Sequence, residues 1–143
     1  MDKATADLVK TAFSGLDSCT VNVHGRSMSP FVRDGDQVTI VPVAGIPAVG
    51  SIVALFAGEQ LIVHRVISRK VEKSGATIAI AGDSSPGSEA VVTLSELFGI
   101  VQKITRGPIE VSGWCRPPLS ILAVALGHIF RFLVSGKRFM TRY

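Results

Sequence analysis

The chain has 143 residues, 47% of them apolar, and a formal net charge of +4; it is most simply one domain, able to bury roughly two-thirds of its unfolded surface. Only 18% of the residues are charged, and a mean hydropathy of +0.42 is greasy for a soluble protein of this size. The basic residues Arg131, Lys137, Arg138 and Arg142 crowd the C-terminal end, but no repeated aromatic or Gly-rich pattern accompanies them to stack bases, so no nucleic-acid partner is expected.

Cys19 and Cys115 lie far apart, with no CxxC or His-rich companion. That argues against a zinc site and a disulfide framework, and for two reduced, semi-buried thiols. Met1 to Leu16 lacks the charged region, apolar core and small-residue cleavage site of a secretory signal. No apolar run reaches the ~18 residues of a membrane span. The expectation is a chain with no route of its own across a membrane.

In chain order, Asp2 to Leu16 predicts an amphipathic helix: Ala4, Leu8, Ala12 and Leu16 form a stripe, Val9 and Phe13 thicken it, Asp2 caps it and Gly15 helps end it. The period then changes to two. Thr20 to His24 and Gln37 to Val41 alternate, and Ser51 to Phe56 and Gln60 to Ser68 are β-rich, with a hairpin turn at Ala57-Gly58-Glu59-Gln60 between the latter pair. Further strands are expected at Ala76 to Ala81, Gly99 to Thr105 and Ile109 to Val111, and a helical turn at Thr93 to Phe98 with a Thr93/Glu96 capping box. Many short strands with Gly and Pro punctuation predict a mainly β fold, a small coiled antiparallel β-domain.

After Arg116-Pro117-Pro118 breaks the chain, Leu119 to Val134 reads as an apolar helix whose polar residues, Ser120, Gly127, His128, Arg131 and Ser135, fall mainly on one face. Two arrangements fit it: lying in the interface of an anionic membrane with Trp114 and the basic tail as anchors, or packing on the β-domain or on a second copy of the chain. The organisation is thus an N-terminal helix over 1–18, a β-domain over 19–113 and a C-terminal apolar, basic helical extension over 114–143.

Three polar clusters carry the chemistry. Gly25-Arg26-Ser27-Met28-Ser29-Pro30 holds a serine between glycine and proline at the end of a strand; Val63-His64-Arg65-Val66 supplies an imidazole; Gly82-Asp83-Ser84-Ser85-Pro86 supplies a carboxylate. Nucleophile, base and orienting acid are the parts of a serine hydrolase. An imidazole, with an ordinary pKa of about 6.5, takes a serine proton near neutral pH. Asp83 fits two roles, orienting His64 or bonding its own loop as an Asx turn. Met28 is expected beneath the serine or along a groove, Asp34-Gly35-Asp36 as a structural turn, and Arg65 as an ion-pairing residue. No metal or cofactor is expected.

In order along Val21 to Ile104, Gly-Arg-Ser-Met-Ser-Pro, Asp-Gly-Asp-Gln-Val, Gly50 to Leu55, His-Arg-Val and Gly-Asp-Ser-Ser resemble the signal peptidase I superfamily, which includes the self-cleaving SOS and phage repressors. The resemblance implies that Ser27 is the nucleophile. Where bacterial members have lysine before Arg-Val, this chain has His64, as in the archaeal and endoplasmic-reticulum branch; Lys70 and Lys73 are out of register. Gly25 stands where signal peptidases usually carry a serine that helps hold the oxyanion, which leaves that task to the Ser27 N–H and its neighbours beside Arg26 and Met28. The second acid of the endoplasmic-reticulum type has Glu89 as its nearest counterpart. The implied activity is a serine endopeptidase that cleaves an extended leader or signal-like peptide segment through an acyl-enzyme, in the cytoplasm or peripheral to the inner membrane. The alternative is a peptide- or protein-binding module that keeps the groove without the chemistry. A repressor-like self-cleaver is disfavoured, because no helix-turn-helix precedes Val21.

Overall fold

Strand β3 (Ile52–Ala57) shows why the core forms where it does: Ile52, Val53, Ala54 and Leu55 are all buried, as expected of a central strand covered on both faces. Ile52 and Ala54 join one apolar cluster with Met28, Val32, Val38, Ile40, Phe98, Val101 and Ile104. Val53 and Leu55 join a second with Val66, Ile78, Ile80, Val92 and Leu97. The computed structural model describes residues 3–117 and 119–140.

Around β3 run α1 (Lys3–Ser14), β1 (Cys19–Asn22), β2 (Gln37–Val41), β4 (Gln60–Glu72), β5 (Gly75–Ala81), β6 (Ala90–Thr93), β7 (Leu97–Arg106), β8 (Ile109–Glu110) and α2 (Leu119–Met140). The strands make an eight-stranded sheet in the order β1-β2-β7-β3-β4-β5-β6, with β8 added to β7. Every pairing is antiparallel. The protein is therefore mainly β, an antiparallel sheet with two helices, as the alternation predicts. Register shifts at Thr39/Ile40, Ala54/Leu55 and Val66/Ser68 interrupt the ladders; such bulges increase local twist.

Several elements differ from expectation. β6 was not foreseen, because four residues with only Val92 buried are too short to declare a period. The turn before β7 is a single 3-10 turn, Leu94–Glu96, where the Thr93 N–H donates to Glu96 Oε2 at 2.6 Å. In α1 the expected Leu8 and Leu16 row faces outward, 69% and 55% exposed. The helix docks instead through Phe13, whose ring stacks on Phe98 at 4.4 Å, and through Lys10, which donates to the Ser95 carbonyl. One aromatic ring buries more apolar area at a single point than the aliphatic row could reach. Asp2, read as the cap of this helix, lies outside the described residues, as does Arg142 of the basic tail.

The C-terminal helix inverts the ordinary arrangement. Its small and polar residues Ser120, Ala123, Gly127 and Arg131 are buried against the sheet, while Ile121, Leu122, Ile129, Phe132 and Leu133 are exposed. Gly50 makes this approach possible: a Cβ there would lie 2.9 Å from the Ser120 backbone. Trp114 does not extend the exposed row, since it is half-buried with its ring 4.5 Å from that of Phe31. Among the described residues no helix is long and apolar enough to cross a membrane.

Candidate active site

The serine loop is braced from three sides. Met28, 2% exposed, plunges into the first apolar cluster and fixes the residue beside Ser27. Its carbonyl accepts from the N–H groups of Phe31 and Val32 at 3.1 and 3.0 Å, closing a tight turn. Behind it, the Gly25 N–H donates to Asp34 Oδ1 at 2.9 Å, and the Arg33 N–H to Asp36 Oδ2 at 2.8 Å. Arg106 Nη2 donates to the same Asp36 oxygen at 2.8 Å. Burial pushes the Asp36 carboxyl up, but the Arg106 and Arg33 bonds outweigh it and hold the group below its ordinary value. Asp34-Gly35-Asp36 is thus the structural turn that its sequence predicts.

From the third side comes the loop after β5. The Ser84 N–H donates to the Ser27 carbonyl at 2.9 Å and Ser84 Oγ to the Arg26 carbonyl at 2.7 Å. Gly82 packs directly on Ser27: a Cβ at Gly82 would lie 2.8 Å from the Ser27 carbonyl oxygen and 3.1 Å from its Cβ. Only glycine fits this contact without displacing the serine.

The β4–β5 ladder ends with Arg65 paired to Ala81, so the Gly82 turn that packs on Ser27 leaves β5 opposite the residue that follows His64. His64 is 8% exposed, and burial holds its imidazole below the ordinary value, which favours the neutral form. Among the described residues neither Ser27 Oγ nor the His64 ring makes a hydrogen bond, and no fully buried side-chain nitrogen or oxygen lacks a partner. The His64 nitrogens thus open to the surface.

Asp83 is not brought to His64. Its carboxylate is fully buried, with Oδ1 accepting from Arg65 Nε at 2.9 Å and Oδ2 from Arg65 Nη2 at 2.9 Å. The remaining Arg65 nitrogen, Nη1, donates to the Gly50 and Trp114 carbonyls at 2.8 and 2.7 Å. Successive residues of a strand point to opposite faces, so the Arg65 that holds Asp83 faces away from His64. Neither the orienting role nor the Asx turn describes Asp83; it anchors the Gly82 turn from behind. Glu89 does not complete the site either, since it pairs with Arg131 at 3.7 Å.

Ser27 lies at the junction of two clefts. One, about 500 Å³, is lined by Val21, Val23, Gly25, Met28, Leu61 and Val63, among others. It runs between β1, paired only with β2, and the start of β4, where the β5 ladder has not yet begun. Both strands thus offer an unpaired edge to an extended chain. The other, about 470 Å³, is lined by Arg26, Ser29, Ser84, Ser85, Pro86 and Val134. Of the expected groove residues, Gly25 and Met28 line the first and Arg26 the second. Among the described residues the Ser27 and Met28 N–H groups have no backbone acceptor, which leaves them free to donate to an oxyanion.

Sequence reasoning missed two features. His24 lines the first cleft beside Ser27, with no signal beyond its place at a strand end. Arg131 of α2, 6% exposed, donates through Nη1 to the Gly82 carbonyl at 3.1 Å and through Nη2 to His128 Nδ1 at 2.9 Å. The sequence groups Arg131 with Ser120 and Gly127 on one face of α2; Ala123 at the same spacing is the signal that this face is the inner one. Cys19 and Cys115 are free, half-buried thiols pushed up by burial, which makes neither a strong nucleophile.

Comparison with family models, with curated proteins and with solved structures gave no match to this chain.

Proposed function

We propose that the chain is a serine endopeptidase of signal-peptidase-like type, with Ser27 as nucleophile and His64 as general base. What supports this reading is the packing of Gly82 on Ser27 at the turn that follows the Arg65–Ala81 pair, with a serine hydroxyl free of hydrogen bonds and, next to Arg65, an imidazole that burial pushes towards its neutral form. A peptide would add as a strand between the free edges of β1 and β4. His64 takes the Ser27 proton as Oγ attacks the scissile carbonyl, and the Ser27 and Met28 N–H groups stabilise the oxyanion. Collapse expels the amine, which receives the proton from His64, and leaves an acyl-enzyme. Water deprotonated by His64 then releases the acid and regenerates Ser27. Hydrogen bonds of this kind commonly tighten only with substrate bound. Asp83, Arg65 and Gly82 act as positioning residues. We place the activity in the cytoplasm, on leader-like segments.

The second reading is a peptide-binding module, favoured by the open Ser27–His64 hydrogen bond and by Gly25 in place of a hydroxyl. A fluorophosphonate serine probe separates the two. Labelling of the wild type and not of Ser27→Ala supports the peptidase; wild-type protein that binds peptides but never labels supports the module.

A further inference from the structure

The C-terminal helix offers a surface that the peptidase chemistry does not use. At 100° per residue, Ser120, Ala123, Gly127 and Arg131 fall on one side of α2, and all are buried. The opposite arc holds Ile121, Leu122, Ala125, Ile129, Phe132 and Leu133, all exposed, with Phe132 at 77%. No polar side chain interrupts that arc; His128 and Ser135 stand at its border. A helix that turns its small and polar residues inward and its large apolar residues outward is built for an apolar neighbour.

Charge selects the neighbour. Residues 111–143 contain no Asp or Glu and carry five basic residues, of which Arg116 and Arg131 pair with Glu110 and Glu89, while Lys137, Arg138 and Arg142 follow the apolar arc in sequence. Two copies meeting through this helix would bring one basic segment against another, with no acid within residues 111–143 of either copy. An anionic lipid surface supplies both the apolar layer and the opposite charge. No described helix is long and apolar enough to cross a membrane, so the helix lies in the plane of the interface.

We propose that α2 docks the protein on anionic membranes through Ile121, Leu122, Ile129, Phe132 and Leu133, the positive charge of the C-terminal sequence favouring acidic headgroups. The inner side of the same helix reaches the site: Arg131 binds the Gly82 carbonyl, and a Cβ on Gly127 would lie 3.4 Å from Asp83 Oδ1. Docking therefore places the Gly82 turn about one helix diameter, ~10 Å, from the lipid. The inference does not rest on the peptidase reading.

Flotation of the full chain with vesicles tests it without any assay of activity. The wild type floats with phosphatidylglycerol–phosphatidylcholine vesicles, poorly with phosphatidylcholine alone, and is released by high salt. Ile129→Asp/Phe132→Asp retains its circular dichroism and loses roughly tenfold or more in partitioning. Lys137→Gln/Arg138→Gln/Arg142→Gln, whose apolar face is intact, loses a similar factor on anionic vesicles; it serves as the second variant should the first fail to fold. Absence of wild-type flotation on anionic vesicles overturns the proposal. So does equal flotation of wild type and both variants, or a dimer dissolved by Phe132→Asp in protein that ignores vesicles.

Discussion

Gly82→Ala puts one methyl group into the contact that places the nucleophile. The added Cβ would stand 2.8 Å from the Ser27 carbonyl oxygen and 3.1 Å from both Ser27 Cβ and Ser85 Cβ. Relief to ordinary van der Waals contact needs a shift of roughly half an ångström or more, in line with the 3.5–4.0 Å of optimal contacts. Two of the three neighbours belong to Ser27, and the Gly82 carbonyl is itself held by Arg131, so the serine loop has to move. Overpacking of this kind costs about 1–3 kcal/mol of stability, while a displacement approaching 1 Å at a reacting group costs up to ~100-fold in rate. The expected result is a folded variant whose fluorophosphonate labelling rate falls ten- to a hundredfold, on the order set by that displacement. Unfolding midpoints in urea read the stability separately. Labelling at the wild-type rate would refute the argument, whether or not stability changes, because Ser27 would then not depend on Gly82 for its position.

Two further outcomes follow from the buried charges. Arg65→Met leaves the Asp83 carboxylate without its bidentate partner in a fully buried site, which costs about 3–5 kcal/mol by urea unfolding at neutral pH; a loss below ~1 kcal/mol would mean that the pair is not what anchors the turn. Because burial holds His64 below its ordinary value, its neutral form is favoured at pH 7. The labelling rate should stay flat through pH 7 and fall only on acidification, with an apparent pKa below ~6.5. The stability from burying neutral His64 has the same sign, present above the ordinary value and lost as pH falls through the folded one. A labelling rate that rises only above pH ~9 would point to a lysine base instead.

How far the sequence could be read differs between fold and site. The strands of β1 to β5 were legible because β-branched residues alternate or cluster between Gly and Pro turns. The partners of Ser27 were less so. Asp83 follows a glycine in a serine-rich turn, a context that fits a catalytic carboxylate, an Asx turn or an anchor equally well. Only the ladder that turns Arg65 away from His64 decides where the carboxylate goes. Gly82 carried no signal of its contact, since a glycine needed for close approach looks in sequence like one needed for a turn. For α1 and α2 the periodicity was visible but not which face would dock. Phe13 outcompeted the Leu8 row, and Gly127 with Ala123 allowed α2 to approach through its small side.

The central claim is that His64 activates Ser27. Mass mapping of the fluorophosphonate adduct tests it most directly, comparing wild type with His64→Ala and His24→Ala, each shown to be folded by circular dichroism. The account predicts an adduct on the peptide containing Ser27 in wild type and in His24→Ala, and its loss in His64→Ala. An adduct on another residue, or one that forms equally fast in His64→Ala, would contradict it.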